Sequence, residues 1–315
     1  MTTSLYFHSS FLDHDTGPRH PESPARLTSL MKALDEPVFS GLDRREPAVA
    51  TRAQLELVHS PTHIERVFSS IPLSGRQHID VDTVVSSGSR EASLRAAGAV
   101  VAAVDTVCRG ITVNAFCPVR PPGHHAEPNR AMGFCLFNNV AIGAAYANSV
   151  AGIKRVAIVD IDVHHGNGTQ AWVANQTGLL YASIHQLPLY PGTGEAADRG
   201  SGNVVNVPLP PGASSGDFRH VFSNILDPAL RSFEPELIMV SLGFDAHALD
   251  PLADLNLLDN DYEWVTTCLG GIAAEYCGGR LISVLEGGYD LEVLARSGSA
   301  HVRSLMEASS MLAGG

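Results

Sequence analysis

Short β-branched apolar runs alternate along the chain with longer Ala-rich stretches whose apolar residues recur at helical spacing. The runs ITVNAF, RVAIVDID, LLYASIH, NVVNVPL, ELIMVSLGFD and LISVLEGGYD predict strands. EASLRAAGAVVAAVDTVC, NNVAIGAAYANSV, FRHVFSNILDPALRSF and DYEWVTTCLGGIAAEYC predict helices between them, and the Gly/Pro-rich pieces predict loops. Strands that are apolar throughout, rather than on alternate residues, belong in a parallel sheet covered on both faces. The pattern therefore predicts an α/β fold.

Composition adds limits to that picture. With 315 residues and 44% hydrophobic content the chain buries a sizeable core. No linker, charge run or repeat divides it, so residues 1–315 are expected to form one domain. The N-terminus MTTSLYFHSS has no basic region followed by an apolar stretch, and no apolar run is long enough to cross a bilayer. A cytoplasmic protein with no membrane partner is expected. The net charge of -12 argues against direct nucleic-acid binding, which needs clustered Lys and Arg. Cys108, Cys117, Cys135, Cys268 and Cys277 sit mostly in apolar contexts without close pairing, which predicts reduced thiols.

The candidate chemistry falls where the predicted strands end. In open parallel sheets the loops beyond the carboxyl ends converge on a crevice, and ligands collect there. VAIVDIDVHHGNGTQ delivers Asp160, Asp162, His164 and His165 after an apolar run. Burying several uncompensated charges is tolerated mainly when they pair or ligate a metal. Alternation along an extended chain puts Asp160, Asp162 and His164 on one side, and Asp245 of SLGFDAHALDP supplies a third ligand from another strand end. Two carboxylates and a neutral imidazole balance one divalent cation and leave a position open for water, as catalysis requires. Zinc suits this low coordination, while iron(II), cobalt and manganese remain open.

His124 and His125 of RPPGHHAEPNRAMGFCLFNN lie adjacent in an irregular loop and, beside an open metal site, form a general acid/base pair. In LISVLEGGYD the two glycines allow a sharp turn that projects the Tyr289 hydroxyl toward a developing oxyanion.

Taken together, HPESPARL, RPPGHHA, MGFCLFNN, DIDVHHGNG, LYPGTG, GFDAHALDPL and EGGYD run in order from His20 to Asp290. In this the chain resembles the zinc-dependent histone deacetylase superfamily, especially its bacterial class II-like amidohydrolases and their acetylpolyamine relatives. The resemblance implies the arginase/deacetylase fold, with a central parallel sheet of about eight strands flanked by helices. It implies removal of acetyl or other short acyl groups from lysine-like amines, with Asp162, His164 and Asp245 holding one catalytic zinc. Tyr289 and the metal would polarise the carbonyl. Asp160 would orient His124 and Asn167 would orient His125; a carboxylate partner favours imidazolium and an amide does not. His124 is then the charged element and His125 the proton shuttle.

The resemblance also implies that Phe134 and Tyr190 flank the substrate channel, that the Gly133 carbonyl accepts a hydrogen bond from the substrate amide, and that Arg26 lies behind the site near departing acetate. Asp82 aligns with a rim position that holds substrate backbone. A structural potassium is implied at Asp160, Asp162, His164 and Ser183. Leu252 stands where polyamine-selective relatives can carry a glutamate, which favours acylated lysine over an acetylated polyamine, with a homo-oligomer left open. Two rivals are a binuclear manganese ureohydrolase, which would need carboxylates at Val163 and Asn167, and a noncatalytic acyl-lysine binding module.

Overall fold

The apolar runs pair side by side. The computed structural model describes residues 2–149 and 151–313. Its strands are β1 (Thr3–Tyr6), β2 (Asp43–Arg45), β3 (Arg76–His78), β4 (Val84–Ser86), β5 (Asn114–Cys117), β6 (Val156–Asp160), β7 (Leu179–Gln186), β8 (Val204–Leu209), β9 (Leu237–Leu242) and β10 (Leu281–Leu285). Eight of them form one sheet in the order β2-β1-β5-β10-β9-β6-β7-β8, all parallel, while β3 and β4 make a separate antiparallel hairpin. The fold is a single α/β domain with an eight-stranded parallel sheet. Among the described residues no helix is long and apolar enough to cross a membrane.

Helices cover both faces, and this explains the continuous apolar strands. Helices Ser89–Cys108 and Asn139–Ser149 pack together over β5, β6 and β9, while Asp259–Tyr276 and Leu291–Ala313 pack together against β9, β10 and β5. Strands β5, β6, β9 and β10 are buried along their whole length. Polar groups at the ends of these strands must therefore find internal partners.

The structure refines several expectations. The stretch predicted as one helix from Phe218 to Phe233 is instead two helices, Ser215–Val221 and Asp227–Phe233, joined by a π-helical turn over Phe222–Leu226. The predicted helix ending at Val150 reaches Ser149, and Val150 lies outside the described residues. Strand β6 stops at Asp160, so Asp162 and His164 lie just beyond it rather than in a continuing strand. Ile161 N makes the last ladder bond, to Ser241 O at 3.0 Å. Beyond it the backbone turns to side chains: Asp162 N donates to Asp160 Oδ1 at 3.2 Å, Val163 N to Asp245 Oδ1 at 3.1 Å, and His164 N to Asp162 Oδ1 at 2.9 Å. Carboxylates have replaced the neighbouring strand as acceptors.

Candidate active site

Four adjacent strands, β5, β10, β9 and β6, deliver the predicted residues to one sheet edge. The loop after β5 carries His124 and His125, the segment after β10 carries Gly287 to Tyr289, Asp245 follows β9, and Asp160 to His164 end and follow β6. The sheet thus brings together residues as far apart in sequence as His124 and Tyr289.

Ligating atoms of Asp162, His164 and Asp245 all lie within 4.8 Å of one another, and all three residues are buried. Main-chain groups hold the carboxylates in place: Asp162 Oδ2 accepts from Gly287 N at 2.8 Å, and Asp245 Oδ1 from Val163 N. Asp245 Oδ2 lies 3.2 Å from His164 Nδ1, yet it has no well-formed hydrogen bond although fully buried. Such an orphaned carboxylate oxygen is costly unless a cation meets it. The electrostatics agree: burial opposes charge on His164, but Asp162 and Asp245 outweigh it and push its pKa up to about 10. Two acidic oxygen donors and an imidazole, arranged to stabilise positive charge, fit a divalent metal.

The two histidines have different partners. His124 Nδ1 lies 3.1 Å from Asp160 Oδ2, and His125 Nδ1 lies 2.8 Å from Asn167 Oδ1. Burial works against charge on both. For His124 the carboxylates of Asp160 and Asp162 outweigh it and raise the pKa to about 10. For His125 burial and the neighbouring His124 and His164 drive the pKa well below the usual imidazole range. The two rings lie with their centroids 4.0 Å apart, one facing a carboxylate and the other an amide.

A cavity of about 240 Å³ leads to these groups. Gly133, Phe134, Tyr190 and Leu252 line it, as do Asp82 and Tyr289. The Phe134 and Tyr289 ring centroids are 6.0 Å apart, and Tyr190 stands edge-on to His125 at 5.0 Å. Burial and then Asp245 push the Tyr289 phenol well above its ordinary pKa, so it remains a donor at neutral pH. Arg26 is buried behind this wall, 5.0 Å from the Tyr289 ring centroid, and donates to the carbonyl oxygens of Gly288 and Glu286, both at 2.6 Å. Asp82 has a local task as well: its Oδ1 accepts from Gly133 N at 3.1 Å and from the Thr83 hydroxyl at 2.9 Å, tying the β3–β4 hairpin to the channel wall. Ser183 pairs in register with Asp160 across β7 and β6, and its hydroxyl lies 2.8 Å from His185 Nδ1.

Sequence reasoning missed several groups that organise the site. Glu286, the residue before Gly287, is fully buried; its Oε2 accepts from the main chain of Gly123 and His124 at 2.7 and 3.1 Å, and its Oε1 from the Ser241 hydroxyl at 3.0 Å. It fixes the histidine loop to the sheet edge, and a carboxylate closing the apolar run LISVL was a visible signal. Asp250 accepts from Tyr289 N at 2.6 Å and, through its other oxygen, from Leu252 N at 3.1 Å, so one carboxylate ties the tyrosine turn to the cavity rim. An Asp before Pro reads locally as an ordinary turn, and nothing in the sequence marks this role. The five cysteines are free, and Cys135 lies in the cavity wall with its Sγ 3.2 Å from the Gly133 carbonyl.

Known proteins resemble this chain in sequence and in fold. The sequence model described as "Histone deacetylase domain" matches residues 20–305. A "Probable deacetylase" of Archaeoglobus fulgidus is 37% identical, covering 93% of this chain and 82% of that protein. A "Histone deacetylase-like amidohydrolase" of Pseudomonas aeruginosa is 38% identical, covering 91% and 77%. The crystal structure of the HDA15 HD domain superposes with a TM-score of 0.91 at 34% identity, covering 98% of this chain and 89% of that one. Because the family match spans nearly the whole described fold and includes every strand end that carries the site, the chain belongs to the histone deacetylase superfamily of amide hydrolases.

Proposed function

We propose that this chain removes acetyl or other short acyl groups from lysine-like amines with one divalent ion, zinc, held by Asp162, His164 and Asp245. The observation that carries this reading is the buried donor cluster with its orphaned Asp245 oxygen, set at the end of a narrow cavity beside one histidine paired with a carboxylate and one paired with an amide. A bound zinc would supply Lewis-acid polarisation of the amide carbonyl and acidify a water.

The remaining work belongs to side chains. Nε2 of neutral His125 takes the proton of the attacking water and returns it to the departing amine. His124 stays protonated against Asp160 and stabilises the negative charge that develops. The Tyr289 hydroxyl donates to the amide oxygen as it gains charge. Phe134 and Tyr190 strip water from the methylene stem, and the Gly133 carbonyl accepts from the substrate N–H. Arg26, behind Tyr289, faces the departing acetate, and Asp82 meets the substrate backbone at the rim. A structural potassium ion at Asp160, Asp162, His164 and Ser183 belongs to the same proposal, supported by the Asp160–Ser183 register.

The ureohydrolase rival is disfavoured. Among the described residues one cluster of three such donors occurs, and Asn167 is engaged with His125 rather than with a second ion. Hydrolysis of acetylpolyamines is the second reading, favoured by the Asp82 carboxylate in the cavity wall. A panel of acyl-lysine peptides and acetylated polyamines, assayed for acetate release by zinc-loaded protein, tests both. No release from any member would overturn the proposal.

A further inference from the structure

We propose that Glu127 is a positioning residue for His125, acting through Asn167: its carboxylate sets which way the Asn167 amide faces and thereby which nitrogen of His125 carries the proton. The inference rests on the reading of His125 as the proton-transfer group.

An asparagine amide is two-faced, with an acceptor oxygen and a donor NH₂, and its neighbours decide its orientation. Around Asn167 Nδ2 stand Glu127 Oε1 at 2.8 Å, the His125 carbonyl at 3.5 Å and Met132 Sδ at 3.5 Å. All three only accept, and the carboxylate is both the closest and the charged one, so it dominates. The NH₂ therefore faces Glu127, and Oδ1 faces His125 Nδ1 at 2.8 Å. Nδ1 must then donate, which leaves the Nε2 lone pair for the cavity. With the amide reversed, Nδ1 would have to accept, and Nε2 would carry a proton and could not act as a base. The carboxylate also polarises the amide, strengthening the Oδ1···H–Nδ1 bond.

The surroundings of Glu127 hold it for this task. Its main chain exchanges hydrogen bonds with Arg130, N to O at 2.9 Å and the reverse at 3.3 Å. Its carbonyl accepts from His59 Nδ1 at 3.1 Å; that nitrogen is the donor because His59 Nε2 accepts from Asn138 N at 2.8 Å. The nearby cation Arg130 is turned away onto Asp80 at 2.9 Å. Among the described residues, Asn167 is the only side chain that hydrogen-bonds the Glu127 carboxylate. A glutamate recruited for surface charge or an ion pair would not be left facing a single amide.

The test combines side-chain ¹⁵N NMR of the histidines with steady-state kinetics on zinc-loaded protein. Wild type should show His125 as the Nδ1–H tautomer. Glu127→Leu should lose that single tautomer and lower kcat by about tenfold or more, with KM and zinc content unchanged. Glu127→Gln, whose amide oxygen still accepts from Nδ2, should keep the tautomer and fall less. In an Asn167→Asp background, whose carboxylate accepts in either orientation, Glu127→Leu should no longer lower kcat, because it removes a facing like charge. A structural role would lower kcat in both backgrounds. Retention of the Nδ1–H tautomer in Glu127→Leu, or equal losses in the two backgrounds, would overturn the inference. A wild type that keeps the tautomer but releases no acetate would instead count against the proposed function.

Discussion

Gly287 donates its main-chain N–H to Asp162 Oδ2 at 2.8 Å, and this brings the chain so close that no side chain fits there. A Cβ on Gly287 would collide with Asp245 Oδ2 and press on Asp162 Oδ2, the carboxylates of two proposed metal ligands. Gly288 beside it has φ of +115°, a conformation that L side chains rarely adopt, so the two glycines have different reasons to be there. Gly287→Ala is expected to keep the sheet but displace a ligand, weakening zinc binding by about tenfold to a hundredfold. Competition with a chelator measures it, and unchanged affinity would show that the close approach is not needed to hold the carboxylates.

Tyr289→Phe should retain metal and fold while turnover falls by about 10²- to 10³-fold, the usual loss for a single oxyanion donor. The ring still packs against Phe134, so only the hydroxyl is removed. Turnover and zinc content on the same preparation check it; unchanged turnover with metal retained would assign carbonyl polarisation to the metal alone.

Protonation of buried histidines should destabilise the fold at a pH where exposed carboxylates are still ionised. Burial, the largest influence in each case, lowers the pKa of His14 to about 4 and those of His59, His185 and His301 to about 3. These groups stay neutral in the folded chain while the unfolded chain takes up protons below about 6.5. Their contribution is full above that pH and is lost as pH falls toward 4 and 3. Glu22 acts in the same direction at lower pH: burial raises its pKa, but Arg120 and Arg26 outweigh it and hold it at about 2. The carboxyls of Glu286 and Asp250, each raised to about 7 chiefly by burial, work the other way over the same range but are outnumbered by the four histidines. The melting temperature of metal-free protein should therefore show a net fall from about pH 6.5 to 4; a constant value over that range would contradict the account.

The sequence made the centre of the molecule legible and left its margins obscure. Strands β5, β6, β7, β9 and β10 were readable because burial along their whole length makes them mostly apolar, and β8 because of its valines, whereas β2 is the polar three-residue edge strand Asp-Arg-Arg and carries no such mark. β1 is only four residues long, and the C-terminal helix Leu291–Ala313 was not anticipated. At the site, residues that cluster at strand ends could be read, since Asp160, Asp162 and His164 lie close together in sequence. Glu286, Asp250 and Glu127 act by accepting hydrogen bonds from groups brought near only by folding, and local pattern carries no record of such partners.

Leu252 tests the choice between lysine-like and polyamine substrates. It is half-buried in the cavity wall and offers no charge to a distal ammonium. Leu252→Glu should raise the ratio of acetylpolyamine to acetyl-lysine activity, measured as kcat/KM for both. A wild type that already hydrolyses acetylspermidine or acetylputrescine far faster than acetyl-lysine peptides would reverse the substrate reading.

The central claim is that Asp162, His164 and Asp245 hold one divalent ion on which amide hydrolysis depends. Asp245→Ala tests it most directly, since it removes the orphaned oxygen together with the oxygen that Val163 N holds in place. Bound metal per chain and acetate release from an acetyl-lysine reporter should be measured on the same preparations of wild type and variant. The account predicts one equivalent of zinc and acetate release in wild type, and the loss of both in Asp245→Ala. Full metal occupancy with undiminished turnover in the variant would contradict it.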